Sequence, residues 1–177
     1  AMAKVADTHD ERASQGLTAA RAIMTTDTCP KHGSVSFSGD GIGYPGVTFT
    51  VGGMCKGAGM IMPNMATMIA VITTDVPIAA PDLSQALTAA VSKSFNKVTV
   101  DSDTSTNDTC VVLANGLAGN AEIQTEDEDY KAFYEALELV TMTLAREMVK
   151  DGEGASKFIE VKVHGAKNDQ DAVTLSK

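Results

Sequence analysis

Thr67-Met68-Ile69-Ala70-Val71-Ile72 is the stretch on which the fold turns. It is almost wholly apolar and rich in β-branched side chains, the composition of a strand buried on both faces. After it, Leu83, Leu87, Val91 and Phe95 recur in steps of four between Pro81 and Phe95, and Pro81 suits a first helical turn. Val98 to Val100 and Cys110 to Ala114 read as two further strands around the polar loop from Asp101 to Asp108. Upstream, Val35 to Ser38 and Val47 to Val51 are β-type runs. The turn-rich Gly39-Asp40-Gly41-Ile42-Gly43-Tyr44-Pro45-Gly46 between them predicts a hairpin or meander. A helix is expected from Asp7 to Met24, on Ala13, Leu17, Ala20 and Met24, and is broken before Pro30. Glu126 to Val149 is the longest helical segment, with Phe133, Leu137, Val140, Leu144 and Met148 on one face and Gly152-Glu153-Gly154 as its stop. Phe158 to Val163 alternates as a strand, and Asp169 to Lys177 reads as the opening of another helix that truncation leaves unfinished. The order predicts one α/β domain over residues 1–177, of α+β type, with layered sheets between helices.

Composition narrows the function. The net charge of −9 argues against a nucleic-acid footprint, which needs clustered Lys and Arg to neutralise phosphates. No apolar run reaches the ~18 residues of a membrane span, and Ala1-Met2-Ala3-Lys4 lacks the layout of a signal peptide. Cys29, Cys55 and Cys110 are odd in number and without a CxxC pair, so reduced thiols are expected in place of a zinc site or disulfide framework. These features predict a soluble cytoplasmic protein.

Lys56-Gly57-Ala58-Gly59-Met60-Ile61-Met62-Pro63-Asn64-Met65-Ala66-Thr67 carries the chemistry. Gly57 and Gly59 let a ligand or a chain segment approach the backbone closely. A lone GxG, with neither GxGxxG after a strand nor GK[ST], does not make a nucleotide site. Two readings of these residues stand side by side. One is a tight loop that delivers Thr67 to a reaction; the other is a Met-rich loop packed on the core, with Thr67 a simple β-former.

The segment from Lys56 to Met68 resembles the processing-site signature of the ornithine acetyltransferases, also called glutamate N-acetyltransferases, the ArgJ family of arginine biosynthesis. Three other blocks agree in order and spacing: Ala22 to Thr28 with Pro30-Lys31, Phe95-Asn96 through Asp103 to Thr109 and on to Leu113-Ala114-Asn115-Gly116, and Asp151 to Phe158. Together they cover roughly residues 20–166. The resemblance implies cleavage between Ala66 and Thr67 by the chain itself, giving fragments 1–66 and 67–177, with Thr67 as nucleophile. It implies acetyl transfer from N-acetylornithine to glutamate through an acetyl-threonine, with no metal and no cofactor; acetyl-CoA enters only as a substrate of bifunctional members. Substrate contacts then fall on Thr25, Lys56, Thr67 and Glu153. The implied fold is the layered arrangement of self-processing ornithine acetyltransferases and aminopeptidases, and the implied assembly is α2β2. The family is longer than this chain: its oxyanion Thr-Gly pair is expected upstream, and an Asn with a Ser or Thr of the substrate site downstream.

The implied chemistry is physically coherent. A Thr hydroxyl needs an adjacent base, and within an uncut chain the nitrogen of Thr67 is a non-basic amide. Cleavage frees an α-amine of pKa ~7.7–8.0 that can take the hydroxyl proton. Lys56 suits a substrate carboxylate and Glu153 a substrate ammonium. Each also has an ordinary reading: a solvated loop lysine, an exposed turn glutamate and, for Thr25, a helix-end hydroxyl. Two other functions fit the residues, a self-processing hydrolase or aminopeptidase and a silent folding core or assembly module. Asp101-x-Asp103-x-Ser105 opens like a calcium loop but lacks the central Gly, and Val112 stands where the bidentate Glu belongs. His9, His32 and His164 have no metal-pair spacing and read as surface residues.

Overall fold

The computed structural model describes residues 11–61, 68–103, 106–125 and 127–176. Its elements are α1 (Glu11–Ala22), β1 (Lys31–Ser38), β2 (Thr48–Lys56), β3 (Ile69–Thr74), α2 (Ala80–Lys93), β4 (Thr109–Ala114), α3 (Glu128–Lys150) and α4 (Asp169–Ser176). The strands form one sheet in the order β1-β2-β3-β4. β1 and β2 are an antiparallel hairpin, β3 runs antiparallel to β2, and β4 is parallel to β3. The parallel step needs a crossover, and α2 supplies it with a single 3-10 turn at Phe95–Lys97.

Both long helices lie on one face. α3 packs across β1 and β2, and α2 lies beside α3. Phe133, Leu137, Val140, Leu144 and Met148 of α3 are buried against Val35, Val51, Cys55, Ala70 and Ile72 of the sheet, so the predicted helical stripe is the one that faces the core. Gly53 sets the spacing. A Cβ there would stand 3.1 Å from Leu144 Cδ1, 3.2 Å from Ile72 Cγ1 and 3.3 Å from Val140 Cγ1, so the missing side chain lets α3 settle onto β2.

The layered α/β architecture is as expected, and the elements differ in three places. β3 is buried on one face only: Ala70, Ile72 and Thr74 point to the helices, while Ile69 is 37% exposed and Thr73 lies in solvent. β4 behaves alike, with Leu113 60% exposed, because neither long helix covers the second face of the sheet. Val98–Val100 is not a strand. It follows the 3-10 turn, and among the described residues its one backbone cross-link to another segment runs from the Val100 N–H to the Ile61 carbonyl, where a ladder needs a run of such bonds. Phe158–Val163 forms no ladder among the described residues, and Ile159 and Val161 stand in solvent. Alternation gives a chain two faces, but a strand also needs a neighbour's N–H and C=O groups. The last helix begins at Asp169 as predicted.

Candidate active site

Pro30 disfavours helical geometry before it, so the chain leaves α1 in an irregular loop. One carboxylate folds that loop against the end of β2. Asp27 is buried; its Oδ1 accepts from Lys31 Nζ at 2.6 Å and from the Gly57 N–H at 2.8 Å, and its Oδ2 accepts from the Thr25 N–H at 3.2 Å. Lys31, the first residue of β1, is just as buried, and its ammonium also meets Asp151 Oδ2 at 2.5 Å. Asp151 follows the last turn of α3 and accepts from both the N–H and the hydroxyl of Thr28. One cation and two carboxylates thus join three distant segments of the chain.

Their charges are fixed by these contacts. Burial pushes the Asp27 carboxyl up, but the Gly57 N–H, the Lys31 ammonium and the Thr25 N–H together hold it below its ordinary value. Asp151 likewise is raised by burial and lowered further by Lys31 and Thr28. Burial works to lower Lys31, and its hydrogen bonds to Asp151 and Asp27 hold it above the usual lysine range.

The neighbouring Lys56 has a different setting. It ends β2 and is 8% exposed, and its one described hydrogen bond runs from Nζ to Thr25 Oγ1 at 3.4 Å. No carboxylate among the described residues forms an ion pair with it. A buried ammonium costs several kcal/mol of desolvation unless an opposite charge compensates it. Lys56 is therefore a cation backed by a hydroxyl and suited to receive an anion.

Glu153 packs on the glycine loop that follows Lys56. Its N–H donates to the Ala58 carbonyl at 2.6 Å, and its carboxylate lies over Gly59, where a Cβ would stand 2.9 Å from both Cδ and Oε2. Glu153 lines an open depression of about 410 Å³ with Thr26, Thr28 and Asp151. The loop under it is tightly built: Gly57 has φ +149°, and a Cβ there would meet Met148 Sδ at 2.9 Å.

β3 starts beside this group, because the antiparallel register pairs Ile69 with Lys56. The Met68 N–H donates to Asp108 Oδ1 at 2.7 Å. Thr67 and Ala66, the predicted nucleophile and cleavage partner, lie outside the described residues.

Of the substrate residues implied by the sequence, Thr25, Lys56 and Glu153 gather around the loop from Lys56 to Gly59. Asp27, Lys31 and Asp151 were not singled out as site residues. The pairing of Asp27 with Lys31, four apart, is visible in sequence, but the contact with Asp151 joins residues 120 positions apart. His32 and His164 are exposed, as expected, and His9 lies outside the described residues. The three cysteines are free thiols; burial pushes Cys55 up to about 12 and Cys110 to about 11, which leaves both protonated and unreactive at neutral pH.

Comparison with known proteins places the chain in a family. A sequence profile described as "ArgJ family" matches residues 1–177. The chain is 53% identical over 157 residues to the arginine biosynthesis bifunctional protein ArgJ of Symbiobacterium thermophilum, covering 89% of this chain and 38% of that protein. It is 51% identical over 156 residues to its counterpart in Geobacillus stearothermophilus, covering 88% and 37%. The mitochondrial protein of that name from Arthroderma otae is 48% identical over 177 residues, covering 99% and 36%. The chain thus spans little more than a third of these relatives. A crystal structure of the arginine biosynthesis bifunctional protein ArgJ from Bacillus halodurans superposes with a TM-score of 0.56 at 48% identity, over 58% of this chain and 48% of that one.

Proposed function

The chain belongs to the ArgJ family, and from that premise we propose that it carries the acetyl-transfer centre of an arginine-biosynthetic enzyme. In this reading the Ala66–Thr67 bond is cut by the Thr67 hydroxyl, which attacks the Ala66 carbonyl carbon. The C–N bond breaks as the C–O bond forms, the hydroxyl proton passes to the departing nitrogen, and water then hydrolyses the ester. The new α-amine of Thr67 is the base that its own hydroxyl lacked. Thr67 then takes acetyl from N-acetylornithine, releasing ornithine, and glutamate accepts the acetyl group from the threonine ester. No cofactor is required, and acetyl-CoA serves as a donor only if the enzyme is bifunctional.

The observation that carries the proposal is a buried cation and an exposed carboxylate that both border one glycine loop. Lys56 is a buried ammonium with no carboxylate partner among the described residues, and the Glu153 carboxylate lies over Gly59, three positions on. A ligand that brings a carboxylate to Lys56 and an ammonium to Glu153 completes both, and the two amino acids of this reaction each carry both groups. The same pair favours acetyl transfer over aminopeptidase action, because a peptide's N-terminal residue brings an ammonium but no α-carboxylate for Lys56. Membership of a family whose relatives are named as arginine biosynthesis bifunctional proteins also speaks against a purely structural module.

The wider assignments belong to the same proposal: two fragments that stay associated as α2β2, no nucleic-acid partner, and action in the cytoplasm. No described helix is long and apolar enough to cross a membrane. The fungal relatives' names specify mitochondria, and a fungal source would move the proposed compartment there. The deciding test is to incubate the protein at its natural length with N-acetylornithine and glutamate and follow ornithine. Release that depends on glutamate, shows ping-pong kinetics and vanishes in Thr67→Ala supports the proposal; ornithine release that survives Thr67→Ala sinks it.

A further inference from the structure

Lys56 and Glu153 are tied to each other through one buried ion group. Asp27, Lys31 and Asp151 have side chains 0%, 0% and 5% exposed, and Lys31 Nζ meets Asp27 Oδ1 at 2.6 Å and Asp151 Oδ2 at 2.5 Å. From Asp27 the contacts run to the cation. Its carboxylate accepts from the Gly57 N–H at 2.8 Å, one residue past Lys56, and from the Thr25 N–H at 3.2 Å. Thr25 Oγ1 in turn accepts from Lys56 Nζ at 3.4 Å. From Asp151 the contacts run to the carboxylate. Only Gly152 separates Asp151 from Glu153, and a Cβ on Gly152 would stand 2.9 Å from Val100 Cγ1 and 3.2 Å from the Val149 carbonyl oxygen. The Gly152 N–H donates to that carbonyl at 3.2 Å, the Gly152 carbonyl accepts from the Ala155 N–H at 2.9 Å, and the Glu153 N–H donates to the Ala58 carbonyl at 2.6 Å. The turn that carries Glu153 is thus fixed to Asp151.

Joining three segments does not require charge. Apolar side chains of similar volume often do it as well or better, because a buried ion group must offset the desolvation of each member. What charged hydrogen bonds add is direction and a set distance. Here that distance separates the backbone that carries Lys56 from the backbone that carries Glu153. Under the acetyl-transfer reading the span has a chemical meaning. In N-acetylornithine the α-nitrogen is acylated and uncharged. The charges it offers are the α-carboxylate, for Lys56, and the ammonium at the far end of the side chain, for Glu153. The separation of the two receptors then selects side-chain length.

We propose that Lys31 is a positioning residue that sets this separation, and through it the preference for N-acetylornithine over its homologue with one more methylene. The inference rests on the acetyl-transfer reading above. Lys31 touches no substrate and moves no proton; it acts through Asp27 on Lys56 and through Asp151 on Glu153. Without its ammonium the Asp27 and Asp151 carboxylates repel each other in a poorly solvated place. The two arms part, and Nα-acetyllysine reaches Glu153.

The test compares kcat/KM for ornithine release from Nα-acetylornithine with that for lysine release from Nα-acetyllysine, glutamate being the acceptor, for the natural-length protein and for Lys31→Met. The ratio of the two constants is the readout, because the fraction of folded enzyme cancels from it. A merely structural role for Lys31 lowers both constants together. The parent is expected to prefer Nα-acetylornithine by at least about 10-fold, the effect of one methylene in a fitted site, and Lys31→Met to lose most of that preference. If thermal unfolding shows that Lys31→Met does not fold, Asp151→Asn, which keeps the shape and an oxygen without the charge, is expected to narrow the ratio in the same direction. A parent without preference, or a ratio unchanged in the folded variant, overturns this inference; a KM for Nα-acetylornithine that still rises in Glu153→Gln then leaves the acetyl-transfer reading standing. A parent that releases no ornithine overturns both.

Discussion

Replacing Asp27 by Ala removes the joint between the Thr25 loop, β1 and the end of β2. The side chain is fully buried and accepts three hydrogen bonds, from Lys31 Nζ at 2.6 Å, Gly57 N–H at 2.8 Å and Thr25 N–H at 3.2 Å. Removing one member of a buried ion pair costs ~3–5 kcal/mol. Lys31 keeps Asp151 at 2.5 Å, which argues for the lower end, about 3 kcal/mol. For a chain of this size each kcal/mol shifts Tm by ~2–4 °C, so Tm should fall by roughly 6–12 °C. Scanning calorimetry on the Thr67→Ala background, which under the proposed mechanism gives no cleavage products, reads this directly. The acid limb gives a second measure. Asp27 and Asp151 are both held below their ordinary values, so their stabilisation is complete above the unfolded carboxylate pKa of ~3.9 and is lost as pH falls through the lower folded values. Asp27→Ala should therefore flatten the loss of stability below pH ~4. Lys31 is held above its ordinary value, so its contribution is full at neutral pH and is lost only in strong alkali. A Tm within about 2 °C of the Thr67→Ala reference, with an unchanged acid limb, would refute the reasoning.

Two predictions concern the site itself. Lys56→Met removes the proposed carboxylate receptor and should raise KM for N-acetylornithine by about 10–100-fold, from a charged hydrogen bond of ~1.5–3 kcal/mol, without lowering Tm, since a buried charge leaves with it; steady-state kinetics beside thermal unfolding checks both halves. Gly59→Ala puts a methyl group 2.9 Å from the Glu153 carboxylate, which must swing away; KM should rise several-fold while the fold persists, because the displaced atoms are the free end of an exposed side chain.

Much of this was legible in the sequence, for local reasons. The stripe of Phe133, Leu137, Val140, Leu144 and Met148 specifies one helix face whatever it packs on, and the turn residues from Gly39 to Gly46 specify the hairpin. The predictions that failed needed a partner to be known. Alternation in Phe158–Val163 could not reveal that no described strand pairs with it, and the apolar run of β3 could not reveal that the helices cover one face only. At the site, the glycine loop with Lys56 and Glu153 was readable because close backbone approach requires glycine and because the motif resembled a known one. The hydrogen bonds that the Ile61 and Met68 N–H groups give to Asp101 and Asp108 were not, since the sequence placed both aspartates in a polar loop with no hint of what reaches them. The Lys31–Asp151 bond across 120 positions was hidden for the same reason.

The most direct test of the account is the mass of the fragment that begins at Thr67 after acid quenching in N-acetylornithine without glutamate. The account predicts that this fragment exists, gains a single acetyl group carried on residue 67, and loses it when glutamate is added. Ornithine released by a chain that is still joined at Ala66–Thr67, or by a fragment that never carries acetyl, would contradict it.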